Sequence, residues 1–245
     1  MRIFIIFRAL FKLFGRTVPG PVGGSSAERV YDSGVRMQRQ GKLQEALDRY
    51  TEAIRLDPSL VQAYSNRGSA YLNLGKPESA IADLDEAIRL NPTFAVAYST
   101  RGLAYTNLAD FSQAVKDLNE AVRLNPKFAD AYSSRGYAHR AAGRLKRAIS
   151  DFDQAIRIDA KFSVAYNNRA DVHIEMDNPD LAIPDLNLAI KFDPGFAVAF
   201  ANRSFAWTLL KNDVKAKKDV AAAVKLGVDR TLLEEKLEEF KERAQ

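Results

Sequence analysis

The two histidines, His139 and His173, are the side chains of this sequence best suited to proton transfer or metal ligation, and they stand 34 positions apart. A metal site needs three or four ligands converging on one point, and acid–base catalysis needs a second group in reach. The chain has no cysteine, which removes thiolate metal sites, thiol nucleophiles and disulfides together. It also shows no glycine-rich phosphate loop, Ser-His-Asp order or paired-carboxylate setting. Tyr71, Tyr105 and Trp207 fill the same register as the histidines at the same 34-residue step. His139 and His173 therefore read as packing residues standing in for aromatics, and no catalytic residue, metal or cofactor is expected.

A second set of polar residues follows the same step. Arg67, Arg101, Arg135, Arg169 and Arg203 recur beside a small residue, and Asp83, Asp117, Asp151, Asp185 and Asp219 recur sixteen positions later. The preceding copy has neither, with Ser33 and Arg49 in those places. Joint presence and joint absence indicate an Arg–Asp bridge, joining either the two helices of one hairpin or neighbouring hairpins. The alternative is a ladder of arginines gripping an acidic ligand, which the carboxylates would neutralise.

The elements that position these residues follow from the period itself. From Gly34 the step lands on Gly68, Gly102, Gly136, Ala170 and Ser204; from Ala46 on Ala80, Ala114, Ala148, Ala182 and Ala216; from Ala53 on Ala87, Ala121, Ala155, Ala189 and Ala223. Pro58 returns as Pro92, Pro126 and Pro194, with Ala160 between. A fixed period of this size, without insertion, means a solenoid. Within one copy the apolar spacing is helical twice: Tyr64, Gly68, Tyr71 and Leu74 form one stripe, and Ala80, Ile81, Leu84, Ala87 and Ile88 a second. Leu74-Gly75-Lys76-Pro77 is the break between them, with Pro77 suited to the first turn of the second helix. Asp57, Asn91, Asn125, Asp159 and Asp193 close the second helices with turn chemistry. Pro184 falls inside a second helix and is expected to kink it.

Small residues at Gly68, Ala80 and Ala87, aromatics at Tyr64 and Tyr71, and the closing Pro92 resemble the tetratricopeptide repeat, six units of which would cover residues 27–228. The resemblance implies an all-α, right-handed α-solenoid of antiparallel helix pairs. It also implies a peptide or protein partner held in a concave groove lined by the first helix of each pair. Carried onto this chain, the groove positions are Tyr31, Val35, Ser65, Asn66, Ser69, Asn73, Ser99, Leu103, Thr106, Asn107, Tyr137, Arg140, Asn167, Asn168, Asp171, Asn202 and Phe205. Hydroxyl and amide side chains of this kind can hydrogen-bond an extended backbone. Some family members grip a chaperone's C-terminal carboxylate with lysines, arginines and asparagines. Asn66 matches one such asparagine, but Tyr31 and Val35 replace the expected lysine and its asparagine partner, so that ligand is not expected here. After the last unit, Thr231-Leu-Leu-Glu234 reads as a capping box opening a terminal helix over 229–245 that lays Leu233, Leu237 and Phe240 on the array.

The first sixteen residues are different material. Arg2, Arg8, Lys12 and Arg16 fall on one side of a helix whose other side carries Ile3, Phe4, Ile6, Phe7, Leu10, Phe11 and Phe14. Arg8 interrupts the apolar run too early for a spanning helix. A basic, phenylalanine-rich amphipathic helix suits a membrane surface, with a targeting signal or a docked cap as alternatives. Residues 17–26, rich in Pro, Gly and Ser, read as a flexible linker. Of the net charge of +5, four units lie in this N-terminal stretch. The remainder, 32 basic against 31 acidic side chains, is a poor footprint for nucleic acid. The expectation is therefore a non-enzymatic scaffold that binds a protein or peptide at the cytoplasmic face of a membrane. Export or an organelle is the alternative location if residues 1–24 are a targeting signal, and a structural element acting through the convex face is the alternative function.

Overall fold

The computed structural model describes residues 17–19 and 24–243. The amphipathic segment expected over 1–16 and residues 20–23 of the linker lie outside the described residues. Thirteen α-helices and no strand occur among the described residues. The chain divides into two compact units between Ala142 and Gly143.

In the first unit, α1 (Ser26–Arg39) pairs with α2 (Leu43–Leu56), α3 (Val61–Asn73) with α4 (Pro77–Leu90), and α5 (Ala95–Asn107) with α6 (Phe111–Leu124), followed by α7 (Ala129–Ala141). The second unit begins with α8 (Leu145–Ile158). It continues with the pairs α9 (Ser163–Glu175) and α10 (Pro179–Phe192), and α11 (Ala197–Leu209) and α12 (Asp213–Lys225), and ends on α13 (Arg230–Arg243). Each second helix also packs on the next first helix, and the first helices pack side by side: α1 on α3, α3 on α5 and α5 on α7 in one unit, α9 on α11 in the other.

Local chemistry explains where each helix starts and stops. α1 opens with a full capping box: Ser25 Oγ accepts from Glu28 N at 3.1 Å and Glu28 Oε2 accepts from Ser25 N at 3.0 Å. The turn from first to second helix puts one residue in the left-handed region at the same register each time. Glycine fills it at Gly41, Gly75 and Gly143, but Ala109, Asp177 and Lys211 adopt φ of 60°, 61° and 55°. Pro77 and Pro179 stand at first-turn positions, where the missing N–H is no loss. Five of the six second helices then end on an Asx turn, whereas α12 ends at Leu226 with Gly227 at φ 98°. The side-chain oxygens of Asp57, Asn91, Asn125, Asp159 and Asp193 accept from the backbone N–H two residues on, at 2.9–3.1 Å. The α10 helix runs unbroken through Pro184.

The core of each unit is built on small residues, alanine in both and glycine in the first, so that helix backbones approach closely. A Cβ on Gly102 would meet Leu118 Cγ at 2.6 Å and Ala114 O at 3.1 Å; one on Gly68 would meet Leu84 Cγ at 3.0 Å. Ala80, Ala87, Ala114 and Ala121 are fully buried beside them, as are Ala182, Ala189 and Ala206 in the second unit. The first pair departs from this scheme. Tyr50 stands where later second helices carry Leu84 and Leu118, and its ring tilts against Tyr31 at 5.7 Å between centroids.

The terminal helix α13 buries Leu233, Leu237 and Phe240 and lies chiefly against α11. Its opening cap is Asp229, not the expected Thr231: Asp229 Oδ1 accepts from Leu232 N at 2.9 Å. An acidic side chain one residue ahead of the helix complements its N-terminal dipole, which a threonine cannot do.

Two substitutions test this account in opposite directions. Gly102→Ala should lower unfolding free energy by about 1–3 kcal/mol through overpacking against Leu118 and the Ala114 carbonyl. Ala109→Gly should raise it by about 0.5–1 kcal/mol by relieving a left-handed residue, less the added chain entropy. Urea denaturation of the two variants beside the parent decides both, and a neutral Gly102→Ala would show that the hairpin is not held at contact distance.

Candidate functional site

Four of the recurrent arginines hold three helices each. Arg67 Nε and Nη2 donate to the two carboxylate oxygens of Asp83 at 2.8 and 2.7 Å. The same two-pronged pairing joins Arg101 to Asp117, Arg169 to Asp185 and Arg203 to Asp219. All four are pairs within one hairpin. The remaining prong reaches the second helix of the preceding hairpin: Thr51 for Arg67 at 3.0 Å, Asp85 for Arg101 at 2.6 Å, Asn119 for Arg135 at 2.9 Å, Asp153 for Arg169 at 2.5 Å and Asn187 for Arg203 at 2.7 Å. Of the two alternatives left open by the spacing, these four Arg–Asp bridges take the one within a hairpin, while the link to the neighbouring hairpin runs to other residues. Each guanidinium also lies 5.3–5.8 Å from the ring centre of the aromatic residue three positions earlier, Tyr64, Tyr98, Tyr132, Tyr166 or Phe200. At Asp83, burial pushes the carboxyl up from its ordinary value against the opposing pull of Arg67. Such a pair sits near break-even against water and acts mainly by fixing which helices meet and in what register. With their donors spent on Asp, Asn and Thr, Arg67, Arg101, Arg169 and Arg203 are not a free grip for an acidic ligand.

His139 is buried, and burial lowers the His173 imidazole below its ordinary value. Among the described residues no group of three or more His, Cys, Asp or Glu side chains could hold a metal ion.

The expected groove residues divide in two. Tyr31, Ser65, Asn66, Ser69, Ser99, Thr106, Asn167, Asn168, Asn202 and Phe205 are buried, contrary to an open lining. The cause is the side-by-side packing of the first helices, which turns short polar side chains into helix–helix contacts. Thr106 Oγ1 donates to its own helix at Gly102 O, and the Phe205 ring is stacked on Phe240 of α13 at 4.7 Å. Asn202 Nδ2 donates to Asn167 Oδ1 at 3.1 Å and Asn167 Nδ2 to Asn168 Oδ1 at 3.3 Å, tying α11 to α9. Asn73, Tyr137, Arg140 and Asp171 are half-exposed, and Asn107 is exposed.

One feature of this face was hidden in the sequence. Between α1 and α3, the segment read as a flexible linker is held in place at Thr17 and Val18. Asn66 Oδ1 accepts from Val18 N at 3.0 Å, and Asn66 Nδ2 donates to Val18 O at 3.2 Å. Tyr31 Oη also donates to Val18 O while accepting from Asn66 Nδ2 at 2.7 Å. Arg39 Nε donates to Thr17 Oγ1 at 3.2 Å. Beneath them Tyr50 Oη donates to Gln38 Oε1 at 2.7 Å, and Gln38 Nε2 to Ser69 Oγ at 3.5 Å. The signal available in the sequence was Pro19, which biases the residue before it toward extended backbone.

Family models described as TPR repeat and tetratricopeptide repeat match residues 39–75, 61–94, 99–161 and 163–196. This chain belongs to the tetratricopeptide repeat family. A tetratricopeptide repeat protein from Parabacteroides merdae ATCC 43184 superposes with a TM-score of 0.72 over 90% of this chain and 86% of its own, at 24% identity. TTC0263, a tetratricopeptide repeat protein of Thermus thermophilus, gives 0.69 over 74% and 98%, at 20% identity. YrrB, a tetratricopeptide repeat protein described as having an unusual peptide-binding site, gives 0.51 over 75% and 95%, at 22% identity. No curated protein matches the chain significantly. At these identities the structural likenesses show the fold alone.

Two measurements follow from the geometry of this repeat array. In a double-mutant cycle of Arg101→Gln and Asp117→Asn, either single change should destabilise by about 3 kcal/mol and the pair should couple by about 1–3 kcal/mol; a coupling of zero would dissolve the bridge. Burial, reinforced at Tyr31 by the neighbouring Tyr50, pushes both phenols above their ordinary value. The unfolded chain's tyrosines ionise near pH ~10, so the stability these two contribute is whole below that and is lost as pH rises past it. Absorbance titration at 295 nm should show two of the nine tyrosines ionising only with loss of helical circular dichroism.

Proposed function

We propose that this tetratricopeptide repeat protein is a non-enzymatic scaffold that binds an extended segment of a partner protein along the face formed by its first helices. The observation that carries this reading is Asn66, whose one side-chain amide hydrogen-bonds both the N–H and the carbonyl of Val18. An amide paired to both backbone groups of one residue is suited to an extended segment, and this supports the reading. Family membership supports it, since these repeats generally bind proteins or peptides, and YrrB is described as having a peptide-binding site. The accessible polar residues Asn107 and Arg140 extend the same face along α5 and α7.

The basic, phenylalanine-rich residues 1–16 support a second part of the proposal, attachment to an anionic membrane surface. No described helix is long and apolar enough to cross a membrane.

Each part has its own test. Affinity capture with the full-length chain, compared with a folded Asn107→Glu/Arg140→Glu variant, should show a partner retained by the parent and lost by the variant. Equal retention by both would remove the binding role from this face. The full-length chain should sediment with vesicles containing anionic phospholipid and not with phosphatidylcholine alone, and Arg2→Gln/Arg8→Gln/Lys12→Gln/Arg16→Gln should abolish sedimentation; unchanged sedimentation of that variant would end the membrane proposal.

A further inference from the structure

The bonds that hold Thr17 and Val18 have an unusual composition. Three of the four engage the Val18 backbone, two from Asn66 and one from Tyr31; the fourth joins Arg39 to the Thr17 hydroxyl. The Val18 side chain takes part in none of them. Any residue with a free N–H and an extended backbone could make the same contacts, provided it was preceded by a side-chain acceptor for Arg39. Pro19 keeps Val18 extended before it binds, and the surrounding Pro and Gly residues give the segment little secondary structure of its own to lose.

The site that receives the segment is built for it. Tyr31 occupies a register filled by Ser65, Ser99 and Ser133 in the following first helices. Serine at that place is too short to reach across; the tyrosine hydroxyl spans the gap, donating to Val18 O while it accepts from Asn66. Asn66 and Tyr31 are both buried, and Gln38, Ser69 and Tyr50 form a second buried chain of hydrogen bonds beside them. The site therefore stands on an ordered polar network rather than on mobile surface side chains.

We propose that Thr17-Val18-Pro19 is a ligand carried in cis. It fills the backbone-holding site of Asn66 and Tyr31, and a partner's extended segment of the same chemistry, a hydroxyl residue followed by a residue with a free N–H and then a proline, occupies that site only when the chain's own segment leaves it. The inference rests on the peptide-binding reading above and adds to it the class of segment recognised and the competitor that regulates access. Because the segment joins α1 through only a few residues, its local concentration at the site is on the order of millimolar, and a free peptide must overcome that advantage.

The test uses the full-length chain and one probe, a fluorescein-labelled peptide with the sequence of residues 15–21, followed by anisotropy. Val18→Pro removes the N–H that donates to Asn66 and disengages the internal segment. The parent should bind the probe at least tenfold more weakly than Val18→Pro, and adding Asn66→Thr to Val18→Pro should abolish binding. Threonine is chosen because Thr100 fills that register in the next repeat, so the variant should fold. In the parent, hydrogen exchange at the Val18 amide should be slowed, and Asn66→Thr should release it. Equal affinity of parent and Val18→Pro, lost with Asn66→Thr, would overturn the cis competition while leaving the peptide site standing. Absence of probe binding to Val18→Pro would overturn the inference and the assignment of peptide binding to Asn66 together. A rapidly exchanging Val18 amide in the parent would overturn it on its own.

Discussion

A planar guanidinium that must satisfy donors on three sides is the constraint around which the repeats after the first close. Two prongs on an aspartate of the same hairpin set the pairing of its two helices. The third, on the preceding hairpin, sets the distance to its neighbour, and the aromatic ring three residues earlier covers one face of the group. Lysine could neutralise the same carboxylate but could not bond in three directions from one plane. The packing of alanine and glycine supplies the attraction, which is non-directional; the arginine supplies the register. In the first pair, which lacks the arginine, Tyr31, Tyr50 and Gln38 take over with rings and neutral hydrogen bonds.

That exchange is also what makes the candidate site. Where the ion pair is missing, the polar network turns from the helix–helix seam toward the N-terminal segment, and Asn66 and Tyr31 acquire a backbone to hold. In the later repeats the register of Tyr31 is serine in the first unit and, in the second, Asn167, an amide bonded to Asn202, and then Ala201. The pair that lacks the arginine is thus the one whose polar side chains, with Asn66 of the next, hold a segment outside the repeats.

The fold was legible because its signals are periodic and local: the alanine positions, the first-turn prolines, the Asx turns and the buried stripe of the terminal helix each depend on a few adjacent residues. Residues whose role depends on a distant partner were legible only where repetition exposed them, as with Arg101 and Asp117. Asn66 was recognised as a groove residue, but its partner Val18 lies 48 positions away and occurs once, so no spacing could reveal it. Ser65, Ser99 and Thr106 looked like open lining because helical periodicity reports a polar face without reporting whether a neighbouring helix will cover it. The left-handed turns at Ala109, Asp177 and Lys211 were invisible for the opposite reason: the fold imposes a conformation their side chains disfavour.

The way α13 leans on α11, with Phe240 stacked on Phe205, carries a consequence for growth of the array. A further hairpin of the same kind would have to set its first helix against α11 and α12, and part of that ground is already covered. The helix α13 therefore already fills ground that the first helix of another hairpin would need, so that a unit added directly after α12 would meet a covered face on α11 unless α13 gave way.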